Sequence, residues 1–310
     1  MTSGRRNALV FVLSFLSAAS WLAAQASTNA PSGGAAAKPA EVGVRASYLD
    51  INYRGLASGE VQLAGGTWTG AAAPGGGSAP RVDLIPLAPV VVDLDADGQR
   101  ESVVVLAEQL GGSGTFLYLA VVTRRDGEYR NTSTVALGDR AQLRDLTFGS
   151  GLLIVDLVVA GAEDPLCCPT QRERRHYDLV DGQLVELKKF AMGTHSLADL
   201  EGVAWSLEQP ASDDAKAKHP TLRFEGGRVY GDGGCSRYSS TATGAKPGEI
   251  AIGPVRSTKR ACRDPRTLAN EGLFFKRLEG ATAYSWSAGR LQLDYTVDGV
   301  AGRLLFLPKR

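Results

Sequence analysis

Glycine-containing turns set between short apolar runs commit this chain to antiparallel sheet. Arg125-Asp126-Gly127 separates Thr115–Val122 from Glu128–Val135, and Asp181-Gly182 separates His176–Val180 from Gln183–Leu187. Asp-Gly between two such runs is a hairpin signal, because the tight turns that match strand twist need φ > 0 at both central positions. Val103–Leu106 is continuously apolar and Leu152–Val159 is broken only by Asp156, so both read as buried strands. Gly70–Pro80 is rich in Gly, Ala, Pro and Ser and reads as a loop or insertion. With 37 glycines and 44% apolar residues, the composition supports turns and packed cores alike.

The N-terminus reads as an export signal. Arg5 and Arg6 precede the uncharged apolar stretch Ala8–Ala23, and Ala24-Gln25-Ala26 offers a small-x-small cleavage site that leaves Ser27 first. The rival reading is an anchor, since about 16 apolar residues approach the lower limit for a span. The cleavage pattern and the small, nearly uncharged tail after it favour removal. The expected organisation is a signal peptide at 1–26, a leader at 27–41, a β-rich domain at 42–192 and a second domain at 197–310. The mature chain then carries no integral membrane segment. A net charge of +1 supplies no field for a polyanion, which argues against a nucleic-acid partner.

The second unit alternates more clearly. Thr221-Leu222-Arg223-Phe224 turns through Glu225-Gly226-Gly227 into Arg228-Val229-Tyr230, and Leu291–Tyr295 turns at Asp298-Gly299 into Gly302–Leu307. One helix is expected between them, with Asp264 as cap, Pro265 in the first turn and Glu279-Gly280 as its end. Leu268, Phe275 and Leu278 share a stripe of that helix with Glu271, which should therefore face the sheet. Together these elements predict a curved antiparallel sheet or barrel covered by one helix.

With those residues in place, about Leu200 to Arg310 resembles the META domain, the fold of HslJ-type heat-shock proteins. The matching pieces are Leu200-Glu201-Gly202-Val203-Ala204-Trp205, Leu222-Arg223-Phe224, Gly231-Asp232-Gly233-Gly234-Cys235-Ser236-Arg237-Tyr238, Ile252-Gly253, Thr258-Lys259-Arg260-Ala261-Cys262 and Glu271. The family usually places Asn where this chain has Ser236. The resemblance implies a lipocalin-like β-barrel with an associated helix, and links to heat shock, envelope stress, antibiotic tolerance or secretion, with no catalytic mechanism. The fold class is thus mainly β, in two domains. In the first, Val92-Asp93-Leu94-Asp95-Ala96-Asp97-Gly98 looks like the acidic loop of FG-GAP or dockerin-type repeats, present in a single copy.

Four cysteines behind an export signal favour disulfides. The favoured pair, Cys235 with Cys262, closes a loop of about 28 residues, worth about 2–4 kcal/mol. Cys167 and Cys168 then pair with each other or stay reduced; the alternative is crosslinking between the two units. Asp93, Asp95 and Asp97, with Glu101 beyond Gly98, can converge oxygens on Ca²⁺, the one cofactor these residues suggest. The competing reading is an acidic Asx-turn that needs no ion. Glu271 reads as a structural carboxylate, bonded to backbone amides or an arginine, rather than an acid/base group. The basic run Arg172-Glu173-Arg174-Arg175 with Lys188-Lys189 reads as a solvated hairpin face. His176, His195 and His219 lie near no nucleophile motif, and neither Gly149-Ser150-Gly151 nor Gly112-Ser113-Gly114 completes a nucleophile elbow.

The resulting expectation is an exported, non-enzymatic protein, periplasmic or secreted, serving stress tolerance or interaction with a protein partner in the cell envelope. One alternative is a small apolar ligand held in the barrel. The other is a Ca²⁺-dependent adhesion or interaction module in the first domain. Packing decides the former: an interior filled by Trp205, Phe224, Tyr230, Trp286, Leu293 and Phe306 leaves no room for a guest.

Overall fold

The computed structural model describes residues 48–75, 77–165, 167–208, 218–258, 260, 262 and 264–309. The expected signal peptide and leader lie outside them. Six strands, β3 (Thr67–Thr69), β4 (Arg81–Leu84), β5 (Val90–Val92), β6 (Glu101–Gln109), β7 (Phe116–Arg125) and β8 (Glu128–Asp139), form one sheet centred on the antiparallel pair β6–β7. Alternation sends Val103, Val105, Leu119 and Val121 to one face of that pair, and Val104, Leu106, Tyr118, Ala120 and Val122 to the other. Both faces are covered, which is why Val103–Leu106 has no polar interruption.

On one side lies the hairpin β1 (Asn52–Leu56) and β2 (Gly59–Gln62), packing Tyr53, Leu56 and Val61 together with Tyr48 and Leu63. Glu108, fully buried at the end of β6, ties this hairpin down. Its carboxylate accepts from the Ala57 and Ser58 amides at 3.0 and 2.8 Å and from the Tyr118 hydroxyl at 2.7 Å. On the other side lies a four-stranded sheet of β9 (Gln142–Gly149), β10 (Leu152–Val159), β11 (Gln171–Val180) and β12 (Gln183–Thr194), in the order β12-β11-β10-β9. It contributes Leu143, Leu153, Val155, Leu157, Tyr177 and Leu179 to the shared core.

The expected hairpins form, and β11–β12 is longer than expected. β12 runs to Thr194, past the boundary expected at 192, and a 3₁₀ turn at Leu197–Leu200 follows. Asp126, Gly127, Asp181, Gly182, Asp298 and Gly299 all take positive φ, as their turns require.

The C-terminal part is a nine-stranded antiparallel sheet. Its strands are β13 (Trp205–Leu207), β14 (Thr221–Glu225), β15 (Arg228–Asp232), β16 (Arg237–Thr243), β17 (Ala251–Ile252), β18 (Arg256–Ser257), β19 (Ala281–Ser287), β20 (Arg290–Val297) and β21 (Val300–Pro308). The order β17-β16-β15-β14-β13-β21-β20-β19 curls until Glu249 bridges Ala283, giving a nearly closed barrel. Helix α1 (Pro265–Glu279) lies over it, its N-terminal amides at Arg266 and Thr267 capped by Asp264. Glu271, Phe274 and Leu278 form its buried stripe. Leu268, expected on that stripe, is 53% exposed: it stands in the first turn, at the edge of a stripe centred on the three buried residues.

Trp205, Phe224, Trp286, Leu293 and Phe306 fill the barrel core, with Phe274 of the helix 6.4 Å from Phe306 between ring centroids. Tyr230 does not join them. It follows the inward Val229, so alternation turns it outward, where its hydroxyl donates to Glu225 at 2.9 Å. No helix among the described residues is long and apolar enough to cross a membrane.

Leu119→Ala should lower unfolding free energy by about 2–5 kcal/mol, against under about 0.5 kcal/mol for the exposed Leu187→Ala, read by urea denaturation. Burial pushes the Glu108 carboxyl up, but the donors from Tyr118, Ser58 and Ala57 outweigh it and hold the group below its ordinary 4.5. A depressed acid contributes stability fully above its unfolded value and loses it as pH falls through the folded one. Glu108→Gln should therefore flatten the fall in melting temperature below about pH 4.5 relative to wild type.

Candidate functional site

The disulfide loop is built around a carboxylate. Cys235 and Cys262 are bonded across a sequence separation of 27, joining the loop after β15 to the segment before α1. Glu271 reaches back from the helix, and its Oε2 accepts from the Cys235 amide at 2.9 Å and the Ser236 amide at 2.7 Å. The approach is close enough to dictate Gly233. A Cβ there would stand 2.8 Å from Glu271 Oε2 and 2.7 Å from the Phe275 ring. The carboxylate is buried and its Oε2 is engaged by two main-chain amides, so it is a structural clamp. Of the arginines flanking Cys262, Arg260 is exposed and Arg263 lies outside the described residues. Ser236 contributes its amide to this contact, and an amide is common to Ser and Asn.

Cys167 and Cys168 are bonded to each other in the exposed loop between β10 and β11. Asp164 organises that loop, accepting from the Gly161 and Thr170 amides at 2.8 and 2.6 Å and from the Thr170 hydroxyl at 2.9 Å. These bonds hold its carboxyl below the usual range: the Gly161 amide acts most, burial opposes it, and Thr170 adds to it.

The acidic loop between β5 and β6 brings three of its four expected ligands together. One carboxylate oxygen from each of Asp93, Asp95 and Glu101 lies within 4.8 Å of the others. Asp97 is not among them, because its carboxylate turns to the Gln99 amide at 2.7 Å. Asp93 accepts from the Asp97 and Gly98 amides at 3.1 Å each, so the loop also satisfies itself as a set of Asx turns. Glu101 is buried and holds the Leu94 amide at 2.8 Å. Burial raises its pKa; the Leu94 bond opposes this, and the charges of Asp95 and Asp97 add to it. Three hard oxygens with exposed approach fit a calcium ion that completes its shell with water or carbonyls. In that case Asp93, Asp95 and Glu101 would hold it.

The basic run is a solvated face in part: Arg174, Lys188 and Lys189 are exposed, while Arg172 and Arg175 turn into contacts. Arg174 pairs with Asp156 at 2.7 Å, Arg175 with Glu173 at 2.7 Å, and Arg172 with Asp199 at 2.6 Å. The Arg172 and Arg175 side chains are largely covered. Arg172 belongs to a seam where the outer face of β9–β11 meets the barrel. There the Trp286 amide donates to Gln142 Oε1 at 3.0 Å, the Gly289 amide donates to the Leu143 carbonyl at 2.8 Å, and Val158 joins the barrel core. No local motif signals this seam, since its residues are scattered over more than 100 positions; only the run of arginines hinted at it.

Residues 198–308 match the family model of the META domain, which covers the barrel and its helix. No curated protein matches the chain.

Glu271→Ala should cost about 2–4 kcal/mol by leaving two buried amides without an acceptor, and Glu271→Gln less, because one oxygen remains. Cys235→Ser with Cys262→Ser should cost about 2–4 kcal/mol. The combined variant should fall short of the sum, because both devices hold the same loop. Strict additivity in urea denaturation would separate clamp from staple.

Proposed function

We propose that this protein, with a META domain at its C-terminus, is an exported, non-enzymatic component of the cell envelope that acts through protein contacts in stress tolerance. The observation that carries the reading is the filled barrel: Trp205, Phe224, Trp286, Leu293 and Phe306 are buried against one another and against Phe274. A barrel that holds its own side chains has its outer surface left for recognition, which argues against the apolar-guest alternative. The two disulfides support an oxidising compartment, periplasmic or secreted, as does the cleavable pattern at Ala24-Gln25-Ala26.

Mass spectrometry of periplasmic and secreted fractions should find a mature chain beginning at Ser27; an intact chain confined to the cytoplasm would sink export. A strain lacking the gene should survive heat and cell-wall stress less well than its parent, with recovery on complementation. In-cell crosslinking should yield a discrete adduct that changes with heat shock. Unchanged survival and no adduct under either condition would overturn the interaction reading.

The Asp93, Asp95 and Glu101 cluster favours a second reading for the N-terminal domain, a Ca²⁺-dependent interaction module. Chelation should then lower the melting temperature by several degrees and added Ca²⁺ restore it, with Asp93→Asn insensitive to both. A melting temperature indifferent to chelator removes the ion.

A further inference from the structure

Seven buried side-chain polar atoms among the described residues have no hydrogen-bond partner, and five of them meet at one place, the seam between sheet and barrel. They are Arg144 Nε, Arg172 Nε, His195 Nδ1, the Tyr284 hydroxyl and Trp286 Nε1. His195, Tyr284 and Trp286 are 2%, 2% and 6% exposed. Proteins rarely leave such groups unmatched, so five in one cluster call for a missing partner.

The cluster is tightly connected. The Arg144 guanidinium carbon lies 4.7 Å from the Trp286 ring centroid, and the His195 and Tyr284 rings stand 5.3 Å apart. Both arginines converge on Asp199, Arg172 Nη1 at 2.6 Å and Arg144 Nη2 at 4.0 Å from the same oxygen. Arg144 Nη2 also donates to the Asp199 carbonyl at 3.4 Å. The other Asp199 carboxylate oxygen takes the Ser196 amide at 2.8 Å.

Donors outnumber acceptors in the cluster. Guanidinium and indole nitrogens can only donate, the Tyr284 proton has no acceptor, and His195 Nδ1 donates in one tautomer. Burial lowers the His195 pKa, with Asp199 opposing it and both arginines adding to it. A single water accepts from at most two of these donors, fewer than the cluster presents. An oxyanion brings acceptors alone, and it answers two guanidiniums that share one carboxylate.

We propose that the seam binds a small oxyanion of carboxylate or phosphate size, held by Arg144 and Arg172 with Trp286, Tyr284 and His195. Because the arginines come from β9 and β11, the histidine from the connection after β12 and the two aromatics from β19 of the barrel, the ligand joins sheet and barrel. Trp286 makes the site visible by fluorescence.

The test titrates the full mature chain with inorganic phosphate, sulfate or acetate, each against sodium chloride at equal ionic strength, reading tryptophan emission and melting temperature. One oxyanion should give a saturable emission change and a rise of roughly 5 °C at saturation; whether phosphate or acetate does so assigns the class. Arg172→Lys keeps the charge beside Asp199 but lacks Nε, and should weaken binding about tenfold or more. Trp286→Phe keeps the ring under Arg144 but lacks the indole N–H, and should weaken it similarly by the thermal readout. Circular dichroism verifies folding, and if one variant fails the other decides. Equal responses to chloride and oxyanions, unchanged affinity in a folded variant, or a high-resolution structure at saturating oxyanion with only water in the seam would each overturn the proposal.

Discussion

The double burial of β6 and β7 is the constraint on which the N-terminal half rests. A strand pair with apolar side chains on both faces cannot sit at a surface, so it demands a cover on each side. The hairpin β1–β2 supplies one cover and the sheet β9–β12 the other. Glu108 fixes the first through three donors. The second cover is itself two-faced. Leu153, Val155 and Leu157 point into the shared core, while Val158 on the opposite face enters the core of the barrel. Burial therefore passes from layer to layer, and the barrel packs where the last layer still has an apolar residue to cover.

The barrel holds itself shut by different means. Its interior is occupied by large side chains, and its helix is fastened at the loop end by one carboxylate, one disulfide and a glycine that makes the approach possible. Glu271 satisfies amides that a tight turn would otherwise bury without acceptors, which is why an acidic residue can sit inside the stripe of an amphipathic helix. The seam, by contrast, buries paired charge between sheet and barrel, at Arg172 and Asp199.

Elements controlled by neighbours in sequence were legible. Asp126-Gly127, Asp181-Gly182 and Asp298-Gly299 form the turns their chemistry requires, and Asp264 caps the helix that begins at Pro265. The inward orientation of Glu271 followed from helical spacing. Tyr230 and Leu268 were misplaced because each position depends on where an alternation starts or a covering surface stops. Asp97 was grouped with its neighbours by spacing, yet a backbone amide two residues on takes its carboxylate. In the run Arg172–Arg175 the residue types were plain and Arg174 is solvated as expected, but only their partners at Glu173 and Asp199 showed that Arg175 and Arg172 are covered.

By itself the sequence determined the strand-and-turn character, the capped helix, the pairing chemistry available to the cysteines and the family of the C-terminal third. These follow from short-range sterics, hydrogen bonding within a few residues and patterns of local spacing. Tertiary structure alone decided that three of four loop carboxylates converge, that Cys167 joins Cys168, and that two arginines, a histidine and two aromatics far apart in sequence share one buried seam. Such groupings arise from how layers stack, and stacking depends on the summed burial of whole sheets, which no local pattern encodes.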